Sequence, residues 1–415
     1  MLTPPEKPKA LGRVLAGAGL ALVLAVLPAL PAAAAVAAPG DATRQSQQWV
    51  FDMMDVGAAW QVTEGAGVTV AVIDSGVYPD ISDLSGGTVI QGPNLTGLAT
   101  SEANPNWGQH GTWMASIIAG HGHNGGYDGI MGIAPQAKIL SIRVIPDKGD
   151  PGYRKYNQEP EETIQDELAT GIRTAVKDGA QVISMSIGYS APSGVVRAAI
   201  DYAHSRGAVL VASSGNSGNN DTQHGAGNPD IAPVSFPAEY PGVLSVGAVT
   251  SQGVPATFSS GNLSVRIAAP GKGIPAEGRD GLYYTVDGTS PACALVAGVA
   301  ALLKARYPGI SPAQVTEALT ATAQQTPSGS YSVLTGFGIV DADAALLKAG
   351  QLLQAKAQGS LISATTHFGD GSSAVPPAPV TPRGGGWLDV FIALLAAAAA
   401  AAAFGGYRLY KTRRS

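Results

Sequence analysis

The stretch Asp287-Gly-Thr-Ser290-Pro-Ala-Cys293 opens a segment, residues 292–303, that carries hardly a polar side chain. A segment that is apolar on every face must be buried on every face, and this one is too short to cross a bilayer. We therefore predict a helix at the centre of a large globular core. Ser290 lies at its start, where serine followed by proline is typical of an ordinary N-cap. A nucleophilic role for its hydroxyl requires a base, an orienting carboxylate and oxyanion donors from elsewhere in the chain.

The composition of the chain, which is 415 residues long, limits the class of protein. A hydrophobic fraction of 45% supports a sizeable core in one large domain or two average ones. Charged residues make up only 13% and the net charge is -5, so no basic patch favours nucleic acid. The single cysteine, Cys293, excludes an intrachain disulfide, and we interpret it as a small buried hydrophobe because no base is assigned to it.

The amino-terminal end has the pattern of a secretory signal peptide. Basic residues precede an apolar run at residues 14–30, and small residues follow it at 32–38. We predict a signal peptide at residues 1–38 and a short N-terminal extension at residues 39–60. An uncleaved signal anchor is the alternative, although the prolines and alanines at the end of the run favour cleavage.

The carboxyl-terminal end predicts a membrane helix. Residues 387–407 are apolar over a spanning length, and basic residues follow them. We expect a transmembrane helix at 387–407 and a basic cytoplasmic tail at 408–415. The many alanines leave a packed tail or a helical hairpin as the weaker alternative.

These two ends define the organisation of the rest of the chain. A Gly-, Ser- and Pro-rich linker at residues 351–386 would separate the membrane helix from a folded domain at residues 61–350. We expect a single-pass protein of the cell membrane, with that domain outside the cytoplasm and the C-terminus in the cytoplasm.

Strands and helices alternate within residues 61–350. Apolar runs predict buried strands at residues 67–73, 138–145, 181–187, 208–213, 243–249 and 265–268. Helical spacing predicts helices at residues 112–119, 163–177, 195–205 and 312–323. Such alternation indicates an α/β fold with a mainly parallel sheet between helices.

Three residues able to act in nucleophilic catalysis lie where such a sheet forms its active site, at the carboxyl ends of strands. Asp74 directly follows the first strand, His110 opens a helix and Ser290 opens the central helix. Each has an ordinary explanation as a turn or capping residue. Their chain order, Asp then His then Ser, is that of subtilisin and differs from that of chymotrypsin or the α/β-hydrolases.

The sequences around these residues resemble the three active-site signatures of the subtilase family. They read Val72-Ile-Asp74-Ser-Gly76, His110-Gly-Thr112 and Gly288-Thr-Ser290-Pro-Ala292. The resemblance implies a subtilisin-like three-layer fold and a serine endopeptidase that works through an acyl-enzyme. Ser290 would be the nucleophile, His110 its base, and Asp74 the carboxylate that orients the imidazole.

The resemblance extends to the implied oxyanion hole and substrate site. Asn216 stands where the family has the side-chain amide that, with the Ser290 backbone N–H, binds the oxyanion. Two segments match those that hold the substrate, namely Ser186, Ile187 and Gly188 in one and Ser213, Ser214 and Gly215 in the other. Because residues 184–188 and 212–216 contain no carboxylate, we expect a neutral, small or aliphatic residue before the scissile bond.

Two groups of polar residues contain side chains of the types that bind metals. His121 and His123 lie in a glycine-rich loop without a third clear ligand, so ordinary solvated histidines are expected. Subtilases often bind structural calcium, and Asp80, Asp83 and residues 124–128 offer oxygen ligands, but turn formation explains them equally well. We therefore predict no metal and no cofactor, with calcium left open.

The organisation of the whole chain is similar to that of the mycosins, the membrane-anchored subtilases of actinobacterial type VII secretion systems. The resemblance implies a protein or peptide substrate and the membrane secretion machinery as partners. It leaves two functions open: an endopeptidase that processes secretion substrates, and a scaffold that stabilises a secretion complex and whose catalysis is dispensable. Intact Asp74, His110, Asn216 and Ser290 favour the endopeptidase.

Overall fold

Parallel strands form the central sheet of the computed structural model, which describes residues 41–100, 102–218 and 232–359. The strands in chain order are β1 (Thr69–Asp74), β2 (Val89–Asn94), β3 (His121–His123), β4 (Asp128–Met131), β5 (Lys138–Arg143), β6 (Val182–Met185), β7 (Val209–Ser213), β8 (Val243–Val249), β9 (Val265–Pro270), β10 (Ile274–Glu277) and β11 (Tyr283–Val286). Seven of them pair in the order β2-β5-β1-β6-β7-β8-β9, and every neighbouring pair runs parallel. The pairs β3–β4 and β10–β11 form separate antiparallel hairpins.

Helices pack on both faces of this sheet. In chain order they are α1 (Ala42–Met53), α2 (Val56–Trp60), α3 (Gln109–Ala119), α4 (Tyr153–Tyr156), α5 (Glu161–Lys177), α6 (Gly194–Ser205), α7 (Thr289–Arg306), α8 (Pro312–Ala321) and α9 (Ala342–Gly359). Because side chains alternate along a strand, Val70 and Val72 of β1 join the core that contains α3 and α7. Ala71 and Ile73 point the other way, into a second core with α5 and α6. The predicted α/β fold, with a sheet between helical layers, is confirmed.

Helix α7 is buried over almost its whole length. Every residue from Thr289 to Lys304 is buried, as the apolar sequence predicts. The one charged side chain within that span, Lys304, donates from Nζ to the carbonyl oxygens of Gly207 and Ile310, both at 2.8 Å. Burial lowers the pKa of Lys304. The helix can therefore enter the core only because its one ammonium group finds backbone acceptors there.

The parallel arrangement brings the carboxyl ends of the strands to one edge of the sheet. Asp74 is the last residue of β1, and Ser213 is the last residue of β7. The segments that follow β6 and β7 contain Gly188 and Asn216. Residues that lie far apart in the chain therefore share one edge, as expected for the active site of an open α/β sheet.

Two helices occupy the segment before β1, for which the sequence predicts only a short extension. Asp41 caps α1 by accepting a hydrogen bond from the Arg44 amide at 2.8 Å. The Arg44 side chain donates to the carbonyl oxygens of Gly126 and Gly129, at 2.8 and 3.1 Å. Phe51 of α1 packs against Trp60 of α2 with ring centroids 5.1 Å apart. The segment before β1 is therefore helical and contacts the β3–β4 hairpin, although its few apolar residues do not predict this.

The carboxyl-terminal part of the described chain is helical. Helix α9 continues to Gly359, past the linker start predicted at residue 351. The predicted signal peptide, the rest of the linker, the membrane helix at 387–407 and the basic tail lie outside the described residues. Among the helices within residues 41–359 that the structure describes, none has the length and apolar character of a membrane span.

Gly298 of α7 gives a test of how closely this helix is enclosed. A Cβ atom at Gly298 would lie 2.5 Å from Cβ of Ile133, which is itself buried. We expect Gly298→Ala to destabilise the fold by about 1–3 kcal/mol through overpacking, although alanine favours helices. The matched variant is Gly57→Ala in α2. A Cβ atom at Gly57 would have no atom within 4 Å, so this change should be neutral or slightly stabilising. Urea unfolding of both purified variants measures the difference, and equal stabilities would contradict this packing.

Candidate active site

Asp74 and His110 form a directly hydrogen-bonded pair. His110 Nδ1 lies 2.7 Å from Asp74 Oδ1, and the same oxygen accepts the Ser75 amide at 2.7 Å. Asp74 is fully buried at the end of β1, whereas the His110 side chain is 29% exposed in the first turn of α3. With Nδ1–H donated to the carboxylate, the neutral imidazole carries its lone pair on Nε2, which is the arrangement a general base needs.

The surroundings of His110 favour the protonated imidazole. Burial lowers the pKa of His110, but the charge and hydrogen bond of Asp74, together with the charge of Asp147, outweigh it and leave the pKa above its ordinary value. Only the neutral ring can accept a proton. Activity that depends on His110 should therefore fall as the pH drops through this raised pKa.

The first turn of α3 is capped from a distant loop. Gly108 is the N-cap residue and has no side chain to offer. The carboxylate of Asp147 accepts the amides of Gln109 at 2.7 Å and His110 at 3.1 Å. The sequence predicts only a polar surface loop around Asp147, and nothing in the local pattern connects it with His110.

Ser290 is not the N-cap of α7, which corrects the prediction from the Ser-Pro pair. The N-cap residue is Gly288, the helix starts at Thr289, and Ser290 is its second residue. The capping acceptor comes from the loop after β7, where Asn216 Oδ1 accepts the Thr289 amide at 2.8 Å. Ser290 is 9% exposed, so its hydroxyl is not required for the cap and remains at the rim of the buried helix.

Asn216 is held by two donors from one residue. Its Oδ1 also accepts the Thr289 hydroxyl at 2.9 Å, while the Gly215 amide donates to Thr289 Oγ1 at 3.2 Å. Because the carbonyl oxygen is occupied, the Nδ2 amide group is the part of Asn216 left to bind a ligand. The sequence signature contains Thr289 but gives no sign of this orienting role.

A cleft of about 410 Å³ adjoins Ser290. The predicted site residues that line it are Ser186, Ile187, Gly188, Ser213, Gly215, Asn216 and Ser290. Its other walls are Tyr189, Ser190, Ser217, Pro233, Val234, Ser235 and Ser260, so no charged side chain faces it from the described residues. Ser214 is not in the lining: it is fully buried, and its hydroxyl donates to the Ser260 carbonyl at 3.1 Å.

The two halves of the site are brought together by helix packing. His110, at the start of α3, is hydrogen-bonded to Asp74 at the end of β1, and α3 packs against α7, which carries Ser290. Asn216 lies beside the start of α7 through its contacts with Thr289. The same edge of the sheet therefore gathers the predicted nucleophile, base, carboxylate and amide donor.

His121 and His123 both have hydrogen-bond partners within the protein. His123 Nδ1 lies 2.8 Å from Asp83 Oδ1, and His121 Nδ1 lies 2.7 Å from the Gly122 carbonyl. Asp83 is buried, and its hydrogen bond raises the pKa of His123. His123 is thus an ion-pair partner and not the simple solvated loop residue that the sequence suggested. In the part of the chain that the structure describes, no group of three or more His, Cys, Asp or Glu side chains could hold a metal ion.

The model of the Subtilase family matches residues 65–339. The chain belongs to the subtilase family. Mycosin-1 of Mycobacterium tuberculosis (strain ATCC 25618 / H37Rv) is 35% identical over 334 residues, which cover 72% of each chain. Subtilisin DY of Bacillus licheniformis is 31% identical over 282 residues, 68% of this chain and 92% of that enzyme.

Solved structures agree with this assignment. The MycP3 protease from the type VII (ESX-3) secretion system matches with a TM-score of 0.59 and 33% identity, over 72% of this subtilase and 87% of that chain. Family and relatives together identify the chain as a subtilisin-like serine endopeptidase related to the mycosins.

Cys293 lies close to this site without the properties of a nucleophile. Its sulfur is fully buried, 3.7 Å from Ser184 Oγ, and burial raises the pKa of the thiol to about 11. The thiol is therefore protonated at neutral pH. Cys293 is therefore the small buried hydrophobe that the sequence predicts.

We expect iodoacetamide to leave Cys293 unmodified in the folded subtilase and to alkylate it fully in denaturant, because the thiol is both buried and protonated. Intact-mass spectrometry before and after denaturation measures this. A Cys293→Ala variant serves as the control for reaction elsewhere. Rapid alkylation of the native protein would contradict the buried, un-ionised thiol.

Proposed function

We propose that this subtilase cleaves extended protein segments with Ser290 as nucleophile, His110 as general base and Asp74 as the orienting carboxylate. The observation that carries the proposal is the 2.7 Å contact between His110 Nδ1 and Asp74 Oδ1 at the edge where Ser290 and Asn216 lie. A histidine fixed in this way is suited to accept a proton on Nε2 and to tolerate the positive charge that results.

The proposed chemical steps use the side chains of His110, Ser290 and Asn216 and the backbone amide of Ser290. His110 Nε2 takes the proton of the Ser290 hydroxyl while Oγ attacks the scissile carbonyl carbon. The resulting oxyanion is bound by Asn216 Nδ2–H and the Ser290 backbone N–H. His110 then gives its proton to the departing amine, which leaves an acyl-enzyme. A water molecule, deprotonated by the same base, releases the acid and restores Ser290.

Substrate would lie as an added strand beside residues 186–188. Ser186 donates from Oγ to the Ser290 carbonyl at 3.2 Å, which ties this segment to the nucleophile. At Gly188 a Cβ would lie 2.4 Å from Ser235 Oγ, so a larger residue there would require the Ser235 side chain to move. Backbone pairing would supply affinity, and the neutral cleft would select the side chain before the scissile bond.

The physiological setting that we propose is type VII secretion. The support is the similarity to mycosin-1 and to the MycP3 protease of an ESX-3 system. The predicted signal peptide and membrane helix would place the catalytic domain outside the cytoplasm, anchored by one helix, where it would process secreted proteins. The competing role is a scaffold within the secretion complex whose catalysis is dispensable.

Replacement of Ser290 separates these roles. We expect the wild-type protein to react with a fluorophosphonate probe and to cleave casein, and Ser290→Ala to do neither, because the reactive oxygen is gone. Ser251→Ala, at an exposed turn serine, is the matched control and should behave as wild type. If the wild type neither labels nor cleaves, while both it and Ser290→Ala restore secretion in cells, the scaffold role is correct.

The cleft lining predicts the specificity. In a peptide panel that varies only the residue before the scissile bond, we expect the highest kcat/KM for neutral, small or aliphatic residues, because the described residues that line the cleft include no carboxylate to bind a cation. Ser190→Asp, which adds a carboxylate to the wall, should raise the relative kcat/KM for Lys. A wild-type preference for Lys or Arg would show that the side chain binds elsewhere.

A further inference from the structure

The loop that follows β5 supplies the cap for the helix that carries His110. Asp147 Oδ2 accepts the Gln109 amide at 2.7 Å and Oδ1 accepts the His110 amide at 3.1 Å. We propose that Asp147 is a positioning residue for His110: it fixes the first turn of α3 through both carboxylate oxygens and places a second negative charge near the imidazole. The inference rests on the proposed role of His110 as general base.

The cap has to come from outside α3. Gly108, at the N-cap, has a φ of 73°, a left-handed conformation that favours glycine. A Cβ at Gly108 would also lie 3.0 Å from the Gly76 carbonyl oxygen, so a serine or aspartate in this place would be strained and crowded. The first amides of a helix have no partner within the helix. Asp147 satisfies two of them, one of which belongs to His110 itself.

A buried ion pair holds Asp147 in place. The Asp150 amide donates to the Asp147 carbonyl at 2.9 Å, and Arg143 Nη2 lies 2.5 Å from Asp150 Oδ2. Both side chains of this pair are at most 1% exposed. Arg143 also donates to the Ser75 carbonyl and pairs in register with Asp74. Asp147 is therefore connected to the segment that holds the catalytic carboxylate.

The charges near His110 come from two carboxylates on different elements. Asp74 at the end of β1 and Asp147 after β5 both act to raise the pKa of His110. The Trp113 ring, on α3 itself, lies edge-on with its centroid 6.3 Å from that of His110. Burial and the charge of Asp74 raise the pKa of Asp147, while hydrogen bonds from His110 and Ser75 and the charge of His110 act against this. Because its charge acts to raise the pKa of His110, the Asp147 carboxylate favours the imidazolium that forms when Ser290 loses its proton.

The test is the pH dependence of inactivation by a fluorophosphonate, measured on the full chain. Asp147→Asn keeps the shape of the side chain but removes its charge. It also replaces one acceptor oxygen by an NH₂ group, which cannot accept the hydrogen bond of a helix amide. We expect its plateau rate to fall by roughly 10- to 100-fold because His110 is displaced. We also expect its acid limb to move to lower pH, because removal of a negative charge lowers the pKa of His110. Asp147→Ser, which offers a neutral acceptor, should recover part of the plateau and keep the shifted limb.

The control is Ser311→Ala, which removes the cap of α8, where Ser311 Oγ accepts the Gln314 amide at 3.3 Å. It should lower the thermal midpoint without changing the plateau rate or the acid limb. Each profile is normalised to its own plateau, so a misfolded fraction does not move the limb. If the normalised profiles of both Asp147 variants coincide with the wild type, Asp147 has only a structural role and the inference is wrong. If the wild type does not react at all, the proposed function fails and the inference fails with it.

Discussion

The structure depends on the enclosure of α7. A helix without a polar face can be stable only if other elements cover it, and here the strands β6 to β9 and helix α3 pack against it, while residues of α8 and α9 belong to the same core. Thr289, the first residue of the helix, is fully buried, so its amide needs a protein acceptor. Asn216 meets that need at Thr289. The placement of the amide donor of the proposed oxyanion hole is thus a consequence of burying the helix.

The helices that carry His110 and Ser290 begin in the same way. Each has a glycine at its N-cap with no side-chain hydrogen bond, Gly108 in one and Gly288 in the other. Each is capped by a side chain from a loop that follows a strand, Asp147 after β5 and Asn216 after β7. A helix capped within its own segment would hold its first turn independently of the rest of the site. Capping from a second element fixes both helices relative to the sheet, and so relative to Asp74.

Elements that are apolar along their length were predictable from the sequence, and contacts between distant segments were not. Strand β8 has the predicted bounds, because a short and mainly apolar run is typical of a strand buried on both faces of a parallel sheet. Strand β2 was missed because it lies at the sheet edge, half exposed, and contains Gly92 and Pro93. Short signatures indicate Asp74, His110 and Ser290 as candidate site residues, whereas Asp147 contacts His110 from 37 positions away and resembles an ordinary loop carboxylate. The Ser-Pro pair predicts Ser290 as the N-cap, but the N-cap is Gly288. The prediction is wrong because it assumes that the capping side chain comes from the helix's own segment.

The order of strands determines how late in synthesis the proposed active site can assemble. β1 lies between β5 and β6, so the strand that ends in Asp74 stays unpaired until segments made much later have emerged. The proposed nucleophile is made later still, on a helix that folds only inside a nearly finished core. A nascent chain therefore contains Asp74 and His110 long before Ser290, and only a nearly complete chain holds all three residues of the proposed triad.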